Sequence, residues 1–168
     1  MGYQMRKKYL SVAAIAAAVV LLDQYTKLLV LRHFILHESV TVIPGFFNLT
    51  YVRNKGAAFG ILSGINDGWR TVFFVGLSLI ALTALAYLVR KTGERLPLIA
   101  YACISGGAVG NLIDRVRFGE VVDFVEWYYQ SFHWPAFNIA DSAITIGVGL
   151  LMVDMLFLQR QDNVKNEG

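Results

Sequence analysis

Two aspartates stand where a carboxylate is costly. Asp123 lies in "VVDFV", with two apolar residues on each side, and Asp141 lies 18 positions later in "FNIADSAITIG", at the mouth of a long apolar run. An Asp at a helix start ordinarily caps free N–H groups and meets the positive end of the helix dipole. Capping alone would account for Asp141 if Asp123 were absent. Two acids in apolar company near one face suggest a pair. Carboxyl groups a few ångströms apart do not readily both ionise, so they share a proton, with one pKa raised and the other lowered. One member can then take a proton from water while the other gives one to a carbonyl oxygen, which is the chemistry of an aspartic protease. Residue types alone leave the pair open among Asp114, Asp123 and Asp141.

Other polar groups also sit against apolar sequence. Asp23 and Lys27 are four apart, which puts them on one helical face with the acid on the N-terminal side. Such a pair can brace packing, and Lys27 could reach toward headgroups, but ionisable groups inside an apolar run are also candidates for function. In "GGAVGNLIDRVRFGEVVDF", Gly106, Gly107 and Gly110 allow another helix to approach closely. Asn111 and Asp114 share a face three residues apart, and Arg115 follows directly, so these three could form a hydrogen-bonded cluster. Arg117 and Glu120 read as a polar helix end meeting headgroups. Asn138 precedes Asp141.

Competing chemistries fit poorly. His33 and His37 lack the Glu and third ligand of a zinc protease, and His133 beside Trp134 reads as an interfacial ring. Ser105 has no nucleophile-elbow context. Cys103 is the single cysteine and reads as a small buried hydrophobe. A zinc or thiol-redox site at Cys103 would need more ligands. Lys and Arg do not cluster as in a nucleic-acid groove, so no nucleic acid is expected as a partner.

The elements that must position these residues are membrane helices. Of 168 residues, 56% are hydrophobic and 16% charged, against about a quarter charged in a soluble domain. We expect a mainly α integral membrane protein, one membrane domain over 1–168. Its four transmembrane helices lie at about 9–31, 71–89, 96–113 and 140–158. The first follows a basic start without a convincing cleavage site, so it reads as uncleaved. Arg6, Lys7 and Lys8 before the first helix, Arg90, Lys91 and Arg95 between the second and third, and Arg160 and Lys165 after the fourth place both termini in the cytoplasm. The stretch 38–62 alternates apolar and polar residues around a Pro44-Gly45 turn, and predicts a small extracytoplasmic β-sheet. The connection 114–139 carries Trp127, Tyr128, Tyr129 and Trp134, rings that favour the headgroup level, and reads as an interfacial segment.

"DQYTK", "YVRNKGAAFGIL", "GGAVGNLIDRVRFGEVVDF" and "FNIADSAITIG", in this order on four helices, resemble the bacterial lipoprotein signal peptidases (signal peptidase II) over roughly 8–158. The resemblance implies an aspartic endopeptidase of the bacterial cytoplasmic (inner) membrane, with its active site at the outer face. It would remove signal peptides from prolipoproteins just before a cysteine bearing a diacylglyceryl group, in contact with membrane lipids, and globomycin-type inhibitors would bind it. The implied catalytic dyad is Asp123 and Asp141, and no metal or organic cofactor is implied. Asn111 and Asn138 would orient the dyad or the substrate backbone. Arg115, with Asp114 orienting it, would bind peptide carbonyls. Asn54 would contact substrate, with Gly56 and the alanines after it folding closely over the site. Asp23 and Lys27 would brace the first helix, and Ala140 belongs to the same supporting set. The rival reading is a non-enzymatic membrane protein, a small transporter subunit or lipid-binding module, whose aspartates carry protons or brace packing.

Overall fold

The computed structural model describes residues 2–56 and 66–166, with side chains over 5–56 and 66–156. Helix α1 (Gly2–His33) leads into strands β1 (Ser39–Ile43) and β2 (Phe47–Asn54). Helices α2 (Asp67–Lys91) and α3 (Arg95–Phe118) follow, then β3 (Val121–Tyr129), β4 (Phe132–His133) and α4 (Ile139–Asn166). Among the described residues, four helices are long and apolar enough to cross a membrane: Met5–His33, Asp67–Lys91, Arg95–Phe118 and Ile139–Leu156. Their outward faces carry Leu10, Leu21, Leu22, Phe73, Ile80, Met152 and Leu156, each more than half exposed. A water-soluble protein does not display so continuous an apolar surface; a bilayer covers it. The chain is a multi-pass membrane protein.

Helix α3 is central and packs against α1, α2 and α4. Glycines make the close packing possible. A Cβ on Gly107 would collide with the Ala140 carbonyl of α4 and with Ile144 Cγ1, and one on Gly106 would lie 2.7 Å from Val19 Cβ of α1. Gly107→Ala therefore overpacks the α3–α4 seam and should cost about 1–3 kcal/mol. Gly76→Ala on α2, where a Cβ meets open space, should leave stability unchanged or slightly raised. Thermal unfolding of the two variants in detergent checks the contrast.

The four strands form one antiparallel sheet in the order β1-β2-β3-β4. The predicted sheet region extends to 62, but 57–62 lies outside the described residues, as do the alanines after Gly56. The connection 114–139 divides into parts of several elements and the loops beside them. Its first residues continue α3 to Phe118, Val121–Tyr129 is a strand paired to β2, and Trp127, Tyr129 and Trp134 are exposed. "VVDFVEWYY" hides this strand because its first four residues are all buried, so the period-2 alternation is lost. Val30, Tyr51, Val122 and Phe124 form a small core that seats the sheet on α1, with Leu31, Phe34 and Ile139 packed around it.

Candidate active site

The loop before α4 is tied to β3 by backbone. Phe137 donates to the Val125 carbonyl at 3.0 Å, and Val125 N–H donates back to the Phe137 carbonyl at 2.9 Å. This bridge brings Asn138 and the start of α4 beside Asp123, although the sequence separates Asp123 from Asp141 by 18 positions.

Asn138 and Asp141 close a reciprocal cap. The Asp141 N–H donates to Asn138 Oδ1 at 3.0 Å, and the Asn138 N–H donates to Asp141 Oδ2 at 3.2 Å. The capping reading of Asp141 therefore holds, but it uses one carboxylate oxygen only. Asn111 Nδ2 donates to the other, Oδ1, at 2.7 Å. Asn138 is fully buried and its Nδ2 donates to Asp123 Oδ1 at 2.7 Å, with Asn111 Oδ1 3.1 Å away. One asparagine thus holds both carboxylates, through its side chain on one and its backbone on the other. On the far side of Asp123, Asn54 Nδ2 donates to Oδ2 at 2.9 Å. The Asn54 amide is turned that way because its Oδ1 accepts the Gly56 N–H at 2.8 Å. Gly56 acts here through its backbone.

The two acids differ in surroundings. Asp123 is 1% exposed, whereas Asp141 lines an open groove of about 540 Å³ with Trp127, Trp134, Phe137, Thr145 and Ile146. Burial, and next the charge of Asp141, push the Asp123 carboxyl up to about 7, against the opposing hydrogen bonds from Asn54 and Asn138 and the charge of Lys27.

Beneath the acids lies a charged cluster at membrane depth. Lys27 Nζ stands 2.9 Å from Asp23 Oδ2 and 2.8 Å from Asp114 Oδ2, and donates to Asn111 Oδ1 at 3.1 Å. Asp23, Lys27 and Asp114 are 0%, 2% and 1% exposed. The remaining oxygens are also engaged. Asp23 Oδ1 accepts the Ala140 N–H at 2.9 Å, so an acid on α1 caps α4. Asp114 Oδ2 accepts the Val122 N–H at 3.1 Å, which fixes the start of β3. Sequence spacing finds the Asp23–Lys27 pair but not the second acid on the same lysine. The resemblance implies that Asp114 orients Arg115; in the structure the two interact through charge, while the Asp114 oxygens bond Lys27, Gln24 and the Val122 N–H. Adjacent helical residues point about 100° apart, so Asp114 faces α1 while the Arg115 guanidinium lies over the Phe74 ring of α2, 5.1 Å from its centroid. Among the described residues, Arg115 Nη1 donates to the Asn111 carbonyl at 3.5 Å.

Two participants escape the sequence reading. Gln24 Nε2 lies 3.0 Å from Asp114 Oδ1, 3.1 Å from Asp23 Oδ2 and 3.2 Å from the Gly110 carbonyl, joining α1 to α3. An amide between Asp23 and Lys27 in an apolar run is the signal that could have found it. Phe74 carries no sequence signal. Among the described residues no group of His, Cys, Asp or Glu has the arrangement of a metal site. His33 bonds the Leu29 carbonyl and His133 lies 3.1 Å from Glu126. The buried donors and acceptors of the centre therefore converge on two carboxylates and an asparagine, an arrangement that can hold a water and pass a proton.

Residues 15–157 match the family model described as "Signal peptidase (SPase) II". The chain is 50% identical over 159 residues to the lipoprotein signal peptidase of Syntrophus aciditrophicus (strain SB), covering 94% of this chain and 99% of the relative. It is 46% identical over 164 residues to that of Geobacter metallireducens, covering 96% and 100%. In structure it is similar to a bacterial membrane enzyme solved by the in meso method at 2.3 Å, with a TM-score of 0.76 and 41% identity over 87% of each chain.

Proposed function

The chain belongs to the signal peptidase II family, and we propose that it is an aspartic endopeptidase that removes signal peptides from diacylglyceryl-modified prolipoproteins. The observation that carries the mechanism is that Asn138 hydrogen-bonds both Asp123 and Asp141 where the sheet meets the helices. A water held between two such acids is a nucleophile once one acid takes its proton. Asp141, open to the aromatic groove, is the base. Asp123, buried, carries the shared proton and gives it to the carbonyl oxygen as the tetrahedral intermediate forms. Asn111 and Asn138 hold the carboxylates in place. Asn54 aligns Asp123 from the sheet. Arg115, always charged, would bind peptide carbonyls from the end of α3.

The basic residues that flank the helices support a cytoplasmic side for both termini and the α2–α3 link, which would put the sheet and the acids at the outer face of the inner membrane. The scissile bond sits there too, since the signal helix ends at that surface and the lipid-bearing cysteine follows it. Globomycin-type inhibitors would compete for the same groove.

The test is cleavage in detergent. The purified protein should cut a diacylglyceryl-modified prolipoprotein before its cysteine and leave the unmodified precursor intact. The absence of any cleavage would support the transporter reading instead. The pH profile follows from Asp123. Its proton is present below about pH 7 and lost above it, so kcat/KM should fall about tenfold per unit above that point. The Asn54 bond favours the ionised form, so Asn54→Ala should move this limb to higher pH. A limb that stays in place or moves down would detach Asn54 from the reaction.

A further inference from the structure

At the end of the bundle opposite the sheet, a groove of about 790 Å³ runs between the first turns of α1 and the start of α3. Its lining is polarised along the helix axes. Lys7, Lys8 and Arg95 stand at the mouth, while Val12, Ile15, Leu98 and Ile99 lie deeper. At 1.5 Å per residue, Ile15 sits roughly 10 Å below Lys8. Lys8 Nζ is anchored on the Arg90 and Thr92 carbonyls, which fixes one cation of the groove in place. No acid is among the lining residues described, and the nearest in sequence, Glu94, lies outside the lining.

We propose that this groove is a binding site for an anionic phospholipid, its phosphate at Lys7, Lys8 and Arg95 and an acyl chain along Val12, Ile15, Leu98 and Ile99. The occupant follows from charge and shape together. A free anion would leave the apolar depth in contact with nothing, and a zwitterionic lipid would bring a second cation against three already there. The groove opens on the outside of the bundle at the level where the helices leave the apolar belt, which is where lipid headgroups lie. The lining residue of α1 nearest the buried charges, Ile15, is eight residues from Asp23 and twelve from Lys27, and the site stands whether or not the proteolytic mechanism does.

Native mass spectrometry of the detergent-purified protein, titrated with phosphatidylglycerol or phosphatidylcholine of equal chain length, tests it. Each basic group near an anionic headgroup is worth about fivefold in affinity. The phosphatidylglycerol complex should be at least tenfold tighter. Lys7→Gln combined with Arg95→Gln, both at exposed positions, should weaken it on the order of 30-fold and bring it close to phosphatidylcholine. Arg6→Gln with Lys91→Gln removes the same charge outside the groove and should keep the preference. Equal affinity of the two lipids, an undiminished preference in the groove variant, or equal loss in the control variant would each overturn the site. Inorganic phosphate should not compete at concentrations matching the lipid; competition there would mean that the cations bind any anion and the apolar depth contributes nothing.

Discussion

Asp123→Asn and Asp141→Asn should each abolish cleavage of a diacylglyceryl-modified prolipoprotein while leaving the protein folded. A positioned acid or base contributes about 10²–10⁴-fold, and the water here needs one of each, so a loss of at least about 10³-fold is expected from either change. Groups that act as a unit are not additive. The double variant should therefore be hardly worse than the singles. Each replacement disturbs about one hydrogen bond. In Asp141→Asn, the new amide must face either the Asn111 amide or the Asn138 N–H, both of which are donors. In Asp123→Asn it must face the Asn54 or the Asn138 amide. That costs about 1–3 kcal/mol, a loss of several degrees in unfolding temperature and not of the fold. Turnover and thermal unfolding measured on one preparation separate the two effects. Cleavage that survives in both single variants removes the dyad.

Lys27→Met should produce the largest loss of stability in the bundle. It leaves Asp23 and Asp114, almost wholly buried, facing each other with no cation between them, and strips a donor from Asn111 Oδ1. Breaking a buried ion pair from one side costs about 3–5 kcal/mol. The loss comes from stranded charge more than from the attraction given up. Replacing the whole cluster should therefore be milder than removing the lysine. In Asp23→Asn/Lys27→Met/Asp114→Asn, asparagine oxygens can still accept the Ala140 and Val122 N–H groups, and no ion remains to be solvated. The triple variant should recover at least half of the loss in unfolding temperature. A single variant as stable as the parent would show that the three groups do not form a closed charge cluster. A triple variant no better than the single would assign the loss to packing.

The cluster and the acids are joined through Asn111. Its Oδ1 accepts from Lys27 and its Nδ2 donates to Asp141. A disturbance at Lys27 is thereby one side chain away from the reacting groups, which is why charged residues at membrane depth stay linked to the chemistry above them. The same linkage makes α1 a structural partner of the centre although none of its side chains touches Asp123 or Asp141 in a hydrogen bond. Asp23 holds the first turn of α4 through the Ala140 N–H, and that turn carries Asp141.

How far the sequence reaches depends on the kind of physics involved. The spans are legible because a bilayer demands a long apolar stretch of any helix that crosses it, and the orientation follows from where Lys and Arg flank those stretches. The glycines at 106, 107 and 110 announce close helix contact by their size alone. Asp123 and Asp141 stand out because a carboxylate among apolar neighbours is expensive wherever the chain goes. These are properties of residues and their immediate neighbours. Contacts between distant segments are different. β3 is hidden because full burial erases its alternation, yet this strand and its bridge to Phe137 carry Asp123 to Asn138. The second acid on Lys27, the hold of Asp23 on α4 across 117 positions, the part of Gln24 and the turning of Arg115 toward Phe74 all depend on which helix faces which. Residue type and spacing decide which groups can do chemistry. Packing decides which of them meet, because hydrogen bonds and ion pairs act over about 3 Å and only the folded chain sets distances that short.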